Sequence, residues 1–292
     1  MATSTTAEST GPDVFGPVPE VDGTPAVVTG NGFVLPVVGG SDGAWLVQTP
    51  CANEVEVDGQ PIAGAHVVLD PGHGGSETGA IGPGGVREED VNLDVALRAK
   101  RLLEQRGAVV VLTRSTDVRV TIDTRASLAV ALQPSVFVSI HHNSGASRKS
   151  TTPGTETYHH LASDDSKRLA GLVYEELLAK LSPYGTDWVV GGDSGAHARR
   201  SMNDGDDFYG ILRRSQGVPA VLSESAYLSN PAEEALLDTE GFRESEATAI
   251  ATAIIRFVST DDPGSGFIPA LESSSDPGGG GGSGGCQDPP LG

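Results

Sequence analysis

The chain has 292 residues, 37% of them hydrophobic, and a formal charge of −20 from 19 basic and 39 acidic side chains. That length holds one α/β domain of about 200 residues with extra segments at its ends, and the acidic balance argues against binding a nucleic-acid backbone. No apolar run approaches the roughly 20 residues of a membrane span, and two cysteines, Cys51 and Cys286, are too few for a cysteine-based structural zinc site.

Residues 1–22 are rich in Thr, Ser, Pro and acids and read as a disordered segment. They show neither a basic start nor an apolar stretch, so no signal peptide is legible. Residues 23–64 carry the short runs "AVVT", "GFVLPVV", "AWLVQT" and "EVEV", split by Gly, Asp and Asn. They predict a small β-hairpin region close to the lower size limit for folding alone.

From Ala65 to about residue 260, strand and helix patterns alternate. "HVVLD" reads as a buried strand and "REEDVNLDVALRAKRLLEQRG" as a helix with acids in its first turn and Gly107 after its end. "AVVVLT" is a strand, "TIDTRASLAVALQ" a helix stopped by Pro134, and "VFVSI" a third strand. "TETYHH" and "PAVLSE" add further strands; "DDSKRLAGLVYEELLAKL", "NPAEEALL" and "FRESEATAIATAIIRFVS" are helices. The expected fold is α/β, a mainly parallel (mixed) sheet with helices on both faces, preceded by the small β region. Residues 261–292, rich in Gly, Ser and Pro, read as a flexible tail. Cys51 and Cys286 can pair in an oxidising compartment or stay free thiols.

Parallel sheets bind ligands at the carboxyl ends of their strands. Three predicted strands here run into chemistry: "HVVLD" into His73, "VFVSI" into His141, and "PAVLSE" into Glu224. Gly72, Gly74 and Gly75 let the backbone turn tightly around His73. A histidine after a strand is often only a cap or a surface residue, but two of them with a carboxylate at matching ends suggest a metal site. Catalytic zinc commonly takes two histidines and a glutamate. For the third donor, Glu88 and Glu89 both qualify, and acids at a helix start also favour the dipole without any metal.

At this point the sequence resembles the zinc-dependent N-acetylmuramoyl-L-alanine amidases, specifically the amidase type 3 catalytic domain. "VVLDPGHGG" is similar to the motif whose histidine binds zinc, and "REEDVNLDVALRAKRLLEQRGAVVVLTR" resembles the block whose glutamate opens a helix, which selects Glu88. "VSIHHN" selects His141, and "VPAVLSESAYLSNPAEEALL" selects Glu224 as catalytic. The resemblance covers residues 65–259 with all four blocks in order. It implies one Zn2+ held by His73, Glu88 and His141. Glu224 then moves a water proton to the leaving amine as the bond between N-acetylmuramic acid and L-alanine of a peptidoglycan stem peptide is cut. The chain departs from the family at His142, normally a small residue, and at Ser225, Ala226 and Tyr227, where the family usually has Thr-Gly-Phe. His142 is expected to point away from the metal, or toward substrate.

Other residues are less committed. Asp70 either orients His73 or caps the turn. Residues 182–208 form the longest irregular stretch and are expected to make a groove wall. Arg199 or Arg200 could meet a substrate carboxylate, although a solvated arginine is the plainer reading. Residues 143–155 are too short for the inhibitory helix that some family members insert there. The alternative function is a catalytically silent, amidase-like regulator or binder of wall precursors, and a carboxypeptidase on stem peptides is a third. The expected partner is peptidoglycan or a muropeptide, met as a monomer with no membrane span. The substrate implies an extracytoplasmic location, with the cytoplasm left open.

Overall fold

The computed structural model describes residues 13–41, 43–145, 149–189, 194–274 and 285–292. The first four strands are β1 (Ala26–Thr29), β2 (Val34–Ser41), β3 (Ala44–Gln48) and β4 (Glu54–Ile62), and they close into an antiparallel barrel. Its core is small, centred on Val27, Leu35 and Val47.

The remaining elements include every strand and helix the sequence predicts. They run β5 (Val67–Pro71), α1 (Glu88–Glu104), β6 (Val110–Leu112), α2 (Ile122–Leu132), β7 (Val136–Asn143), β8 (Glu156–His159) and α3 (Asp164–Leu181). Then follow β9 (Gly195–His197), β10 (Arg199–Ser201), α4 (Gly210–Arg214), β11 (Ala220–Tyr227), α5 (Pro231–Leu237), α6 (Glu240–Ser259) and β12 (Leu271–Ser273). Of these, β9, β10, α4 and β12 are additions to the predicted set. Six strands form one sheet in the order β6-β5-β7-β11-β8-β9. The first four are mutually parallel; β8 joins β11 antiparallel, and β9 lies parallel to β8. The sheet is therefore mixed. One face is covered by α1, α3 and α6 over a core that includes Leu69, Val95, Leu103, Leu172 and Ile250. The other face carries α2 and α4 over Val68, Leu128, Phe137 and Leu222, and the barrel joins this side through Ala26 and the partly buried Ile62.

Local chemistry sets the helix starts. The Thr121, Ser163 and Thr239 side chains accept hydrogen bonds from the backbone N–H groups of Thr124, Ser166 and Phe242, which satisfies otherwise orphaned donors. The strands β5 and β7 are buried on both sides, as central parallel strands are.

The two polar ends are docked where the structure describes them. Phe15 is buried, Val14 N–H donates to Arg106 O at 3.1 Å, and His66 Nε2 lies 2.8 Å from Gly16 O. Val109 N–H donates to the Nδ1 of the same imidazole, so Nε2 carries the proton toward Gly16 O. At the other end, β12 pairs with β10, and Cys286 is disulfide-bonded to Cys51. The Asp288 carboxylate accepts from Thr49 Oγ1, Cys51 N and Asn53 Nδ2, each at 2.8 Å, and Leu291 packs on the barrel core. Polar composition suggested a disordered start and a free tail; in the described parts of these segments Phe15, Cys286 and Asp288 are among the residues in contact with the rest of the chain. The disulfide closes a sequence separation of 235, which removes chain entropy from the unfolded state worth about 5 kcal/mol. Residues 1–12 and 275–284 of the predicted polar ends lie outside the described residues.

Candidate active site

The carboxyl ends of β5, β7 and β11 meet at one edge of the sheet. Beyond β5 the chain turns at Gly72 and presents His73 in the left-handed region, φ 60°, a conformation that costs a non-glycine residue energy and is typical of functional sites. A reciprocal backbone pair, Gly74 N to Glu77 O at 2.8 Å and Glu77 N to Gly74 O at 3.1 Å, closes the turn. Two glycines make room for the cluster. A Cβ on Gly72 would lie 2.2 Å from the His141 ring, and one on Gly79 would lie 2.5 Å from both Glu88 Oε2 and the His73 ring.

The three residues selected as metal donors come together. Glu88 Oε1 lies 3.1 Å from His73 Nε2 and 3.0 Å from His141 Nδ1, and one donor atom from each residue fits within a 4.8 Å group. Among the described residues this is the one His/Cys/Asp/Glu group of that kind. Glu88 is the first residue of α1. Its Oε2 accepts from Ala80 N at 2.8 Å, and its Oε1 also accepts from the backbone N–H of His142 at 3.2 Å. Glu89, the rival candidate, faces elsewhere and pairs with Arg87. Burial and the nearby Asp117 push the Glu89 carboxyl up to about 7.

Electrostatics tie the cluster together. Burial opposes a charge on His73, but the Glu88 and Glu77 carboxylates beside it push it up to about 10. Burial likewise opposes the charge of Glu88, yet the two imidazoles hold its carboxyl well below the usual range. His141 is lowered by burial. Glu77 Oε1 lies 3.4 Å from His73 Nδ1, so Glu77 and not Asp70 is the carboxylate on the far side of this ring. Asp70 instead sits beneath the turn. It accepts from Arg125 Nη1 at 2.6 Å, Thr113 Oγ1 at 2.5 Å and Ser139 Oγ at 2.7 Å. Arg125 in turn donates to Pro71 O at 2.7 Å and to His73 O at 2.6 Å.

Glu224 stands across from His141 in the β11–β7 ladder and lines the same cleft of about 630 Å3. Its Oε2 is buried without a hydrogen-bond partner among the described residues. Burial first, then the Glu88 and Glu156 carboxylates, push its carboxyl well above the ordinary value. Glu156 faces Glu224 in the antiparallel β8–β11 pair and accepts from the hydroxyls of Tyr158 and, at 2.6 Å, Tyr227. The hydroxyl that distinguishes Tyr227 from the family's usual phenylalanine is thus consumed on Glu156.

Other expectations are adjusted by the geometry. The cleft is lined by residues 73, 76–80, 88, 141–144 and 224, with no lining residue from 182–208; that stretch supplies β9 and β10 instead, and its residues 190–193 lie outside the described ones. Arg199 is not a free surface arginine. Its guanidinium stacks 4.4 Å from the Phe208 ring and donates to Tyr209 Oη at 3.1 Å, whereas Arg200 is exposed. His197 is fully buried against Tyr158, and burial pushes it down to about 4, so it is a neutral core histidine. His142 borders the cleft, but its side chain is inaccessible to solvent and reaches toward α6, where its Nε2 lies 3.1 Å from Glu246 Oε2. Sequence reading did not single out Glu246, Asn92, Arg125 or Glu156. The signal for Glu246 and Asn92 was a polar side chain on an otherwise apolar helix face.

A mainly parallel sheet that gathers two imidazoles and two carboxylates in a cleft at its carboxyl edge places the chain among the α/β folds that bind ligands at that edge. Sequence comparison narrows the class, since the N-acetylmuramoyl-L-alanine amidase family model matches residues 67–256. The chain belongs to the N-acetylmuramoyl-L-alanine amidase family. It is 35% identical over 214 residues to the uncharacterized protein YqiI of Bacillus subtilis, covering 73% of this chain and 92% of that one. It is 30% identical over 274 residues to N-acetylmuramoyl-L-alanine amidase AmiC of Neisseria meningitidis, covering 79% of this chain and 61% of that one. The catalytic domain of CwlV, an N-acetylmuramoyl-L-alanine amidase from Bacillus (Paenibacillus) polymyxa var. colistinus, superposes with a TM-score of 0.56 at 35% identity, covering 67% of this chain and 98% of that one.

Proposed function

We propose that this protein is a zinc-dependent amidase that cleaves the bond between N-acetylmuramic acid and the L-alanine of peptidoglycan stem peptides. The observation that carries this reading is the convergence of His73, Glu88 and His141 beside Glu224, in a chain of this family. The donor set fits the metal. Two imidazole nitrogens and one carboxylate oxygen are the ligands of a common catalytic zinc type. Glu88 Oε1 lies 3.1 Å from His73 Nε2 and 3.0 Å from His141 Nδ1, so these three residues would hold the ion. When bound, zinc supplies a Lewis acid that polarises the amide carbonyl and makes water acidic near neutral pH.

The rest is done by the protein's own side chains. Glu77 and the Arg125 contact fix the ring and the backbone of His73. Glu224 takes the proton of the attacking water and delivers it to the departing α-amine of L-alanine. Its buried, negatively surrounded carboxyl is a stronger base than a solvated glutamate. We take residues 65–260 as the catalytic unit, with the barrel of residues 23–64 packed behind it. The substrate and the Cys51–Cys286 disulfide both support an extracytoplasmic location, because disulfides persist in oxidising compartments.

Mass spectrometry of purified peptidoglycan digested with the zinc-loaded protein tests the reading. Whole stem peptides with a free L-alanine amino terminus, and peptide-free glycan, are expected. Stem peptides shortened by one residue at the carboxyl end would make the protein a carboxypeptidase, and an unchanged substrate would make it a silent binder.

A further inference from the structure

Behind the cluster, on the side away from the cleft, three buried polar side chains form a line that ends on the site. Glu246 comes from α6, His142 from β7 and Asn92 from α1. The His142 and Glu246 side chains are fully inaccessible to solvent, at 0% each, and Asn92 is buried as well. Such groups are costly to bury without partners; each of the three has a partner in this line, although Glu246 Oε1 has none among the described residues. α6 is otherwise apolar on this face, with Phe242, Ala249, Ile250 and Ala253 buried around Glu246.

The donors and acceptors along this line are fixed by chemistry. Asn92 Nδ2 lies 3.2 Å from Gly72 O and 3.4 Å from Glu88 Oε1. Both are acceptors, so the amide must present its NH2 group there. Its Oδ1 then faces His142 Nδ1 at 2.8 Å, and that nitrogen must donate. The other ring nitrogen, Nε2, faces the Glu246 carboxylate at 3.1 Å. Turning the amide over would put Oδ1 against a carbonyl and a carboxylate and NH2 against a proton-bearing nitrogen. Gly72 O and Glu88 Oε1 therefore forbid the flip, and His142, anchored at Nε2 by Glu246, holds the oxygen end of the amide. One amide then touches both arms of the cluster, because Gly72 precedes His73 and Glu88 supplies the carboxylate.

We propose that Asn92, with its amide locked by the buried His142–Glu246 pair, is a positioning residue for metal binding that fixes the separation of Glu88 from the His73 turn. This rests on the zinc reading given above. It also accounts for the second histidine of "VSIHHN". Strand alternation sends His141 to the cleft and His142 to the opposite side, where its partner waits on α6.

The test measures zinc dissociation constants by competition with a chromophoric chelator, together with the thermal midpoint of each zinc-free protein. Asn92→Ala and His142→Ala are expected to bind zinc about 10–100-fold more weakly, the usual cost of removing a group that orients a metal ligand. His142→Asn, which returns an N–H donor close to the position of Nδ1, is expected to recover most of that affinity even where the zinc-free midpoint stays low. A purely structural role would lower the midpoints and leave zinc affinity alone. Unchanged zinc affinity in the two alanine variants overturns the proposal, as does a His142→Asn protein no better than His142→Ala. Should His142→Ala fail to fold, Glu246→Gln is read in its place: a several-fold loss of zinc affinity supports the proposal and an unchanged affinity overturns it. Wild-type protein that binds no zinc would instead overturn the function proposed above.

Discussion

Glu224→Gln is expected to lose about 10²–10⁴-fold in the rate of stem-peptide release, the contribution typical of a general acid–base group, while keeping its zinc and its fold. The substitution is nearly isosteric, and Glu224 is not among the three proposed donors. Its carboxyl sits among carboxylates, with Glu88 and Glu156 both raising it on top of burial. Linkage then gives a sign for stability. A free-chain glutamate ionises near 4.5, whereas the folded protein holds this proton to higher pH, so above 4.5 the group subtracts from stability. Zinc-free Glu224→Gln should therefore denature at a temperature no lower than zinc-free wild type at neutral pH. Normal turnover by the variant would remove Glu224 from the chemistry; lost turnover together with lost zinc would mean that it serves the metal.

Asp70→Ala is expected to cost about 3–5 kcal/mol, because it leaves the buried Arg125 guanidinium without its counter-charge. Asp70 is 1% exposed, and Arg125 side-chain exposure is 4%. The loss should reach the site as well, since Arg125 grips the carbonyl of His73 and, together with Arg114, that of Pro71. Burial opposes the Asp70 charge, but Arg125, Thr113 and Ser139 together hold its carboxyl below 3.8. An acid with a depressed folded value contributes stability that is fully present above the unfolded value and lost as pH falls through the folded one. The gap between wild type and Asp70→Ala in urea denaturation should accordingly stay constant at neutral pH and shrink only below about pH 4. A gap of under about 1 kcal/mol at pH 7 would show the pair to be dispensable.

The sheet and its helices were legible because the central strands are unbroken apolar runs and the helices carry their own caps. His73, His141 and Glu224 were legible as polar residues at the mouths of buried strands. Composition and spacing left Glu88 and Glu89 level, and only the family resemblance separated them. They are neighbours on one helix turn, and about 100° of rotation decides which one faces the sheet edge. His142 was half legible. Period two puts it on the face opposite His141, but its partner lies 104 positions away on α6, a separation that no local pattern reveals. The same is true of Arg125 reaching Asp70 across 55 positions. In the described parts of the polar ends the few anchoring residues, such as Phe15 and Asp288, were not legible, since low apolar content describes most of their neighbours.

Elemental analysis of zinc in purified wild type and in His141→Ala tests the central claim most directly. One zinc per chain in the wild type, with loss of both metal and stem-peptide release in His141→Ala, is the predicted result. Wild-type protein that releases stem peptides at full rate with no metal bound, or His141→Ala that retains its zinc, would contradict it.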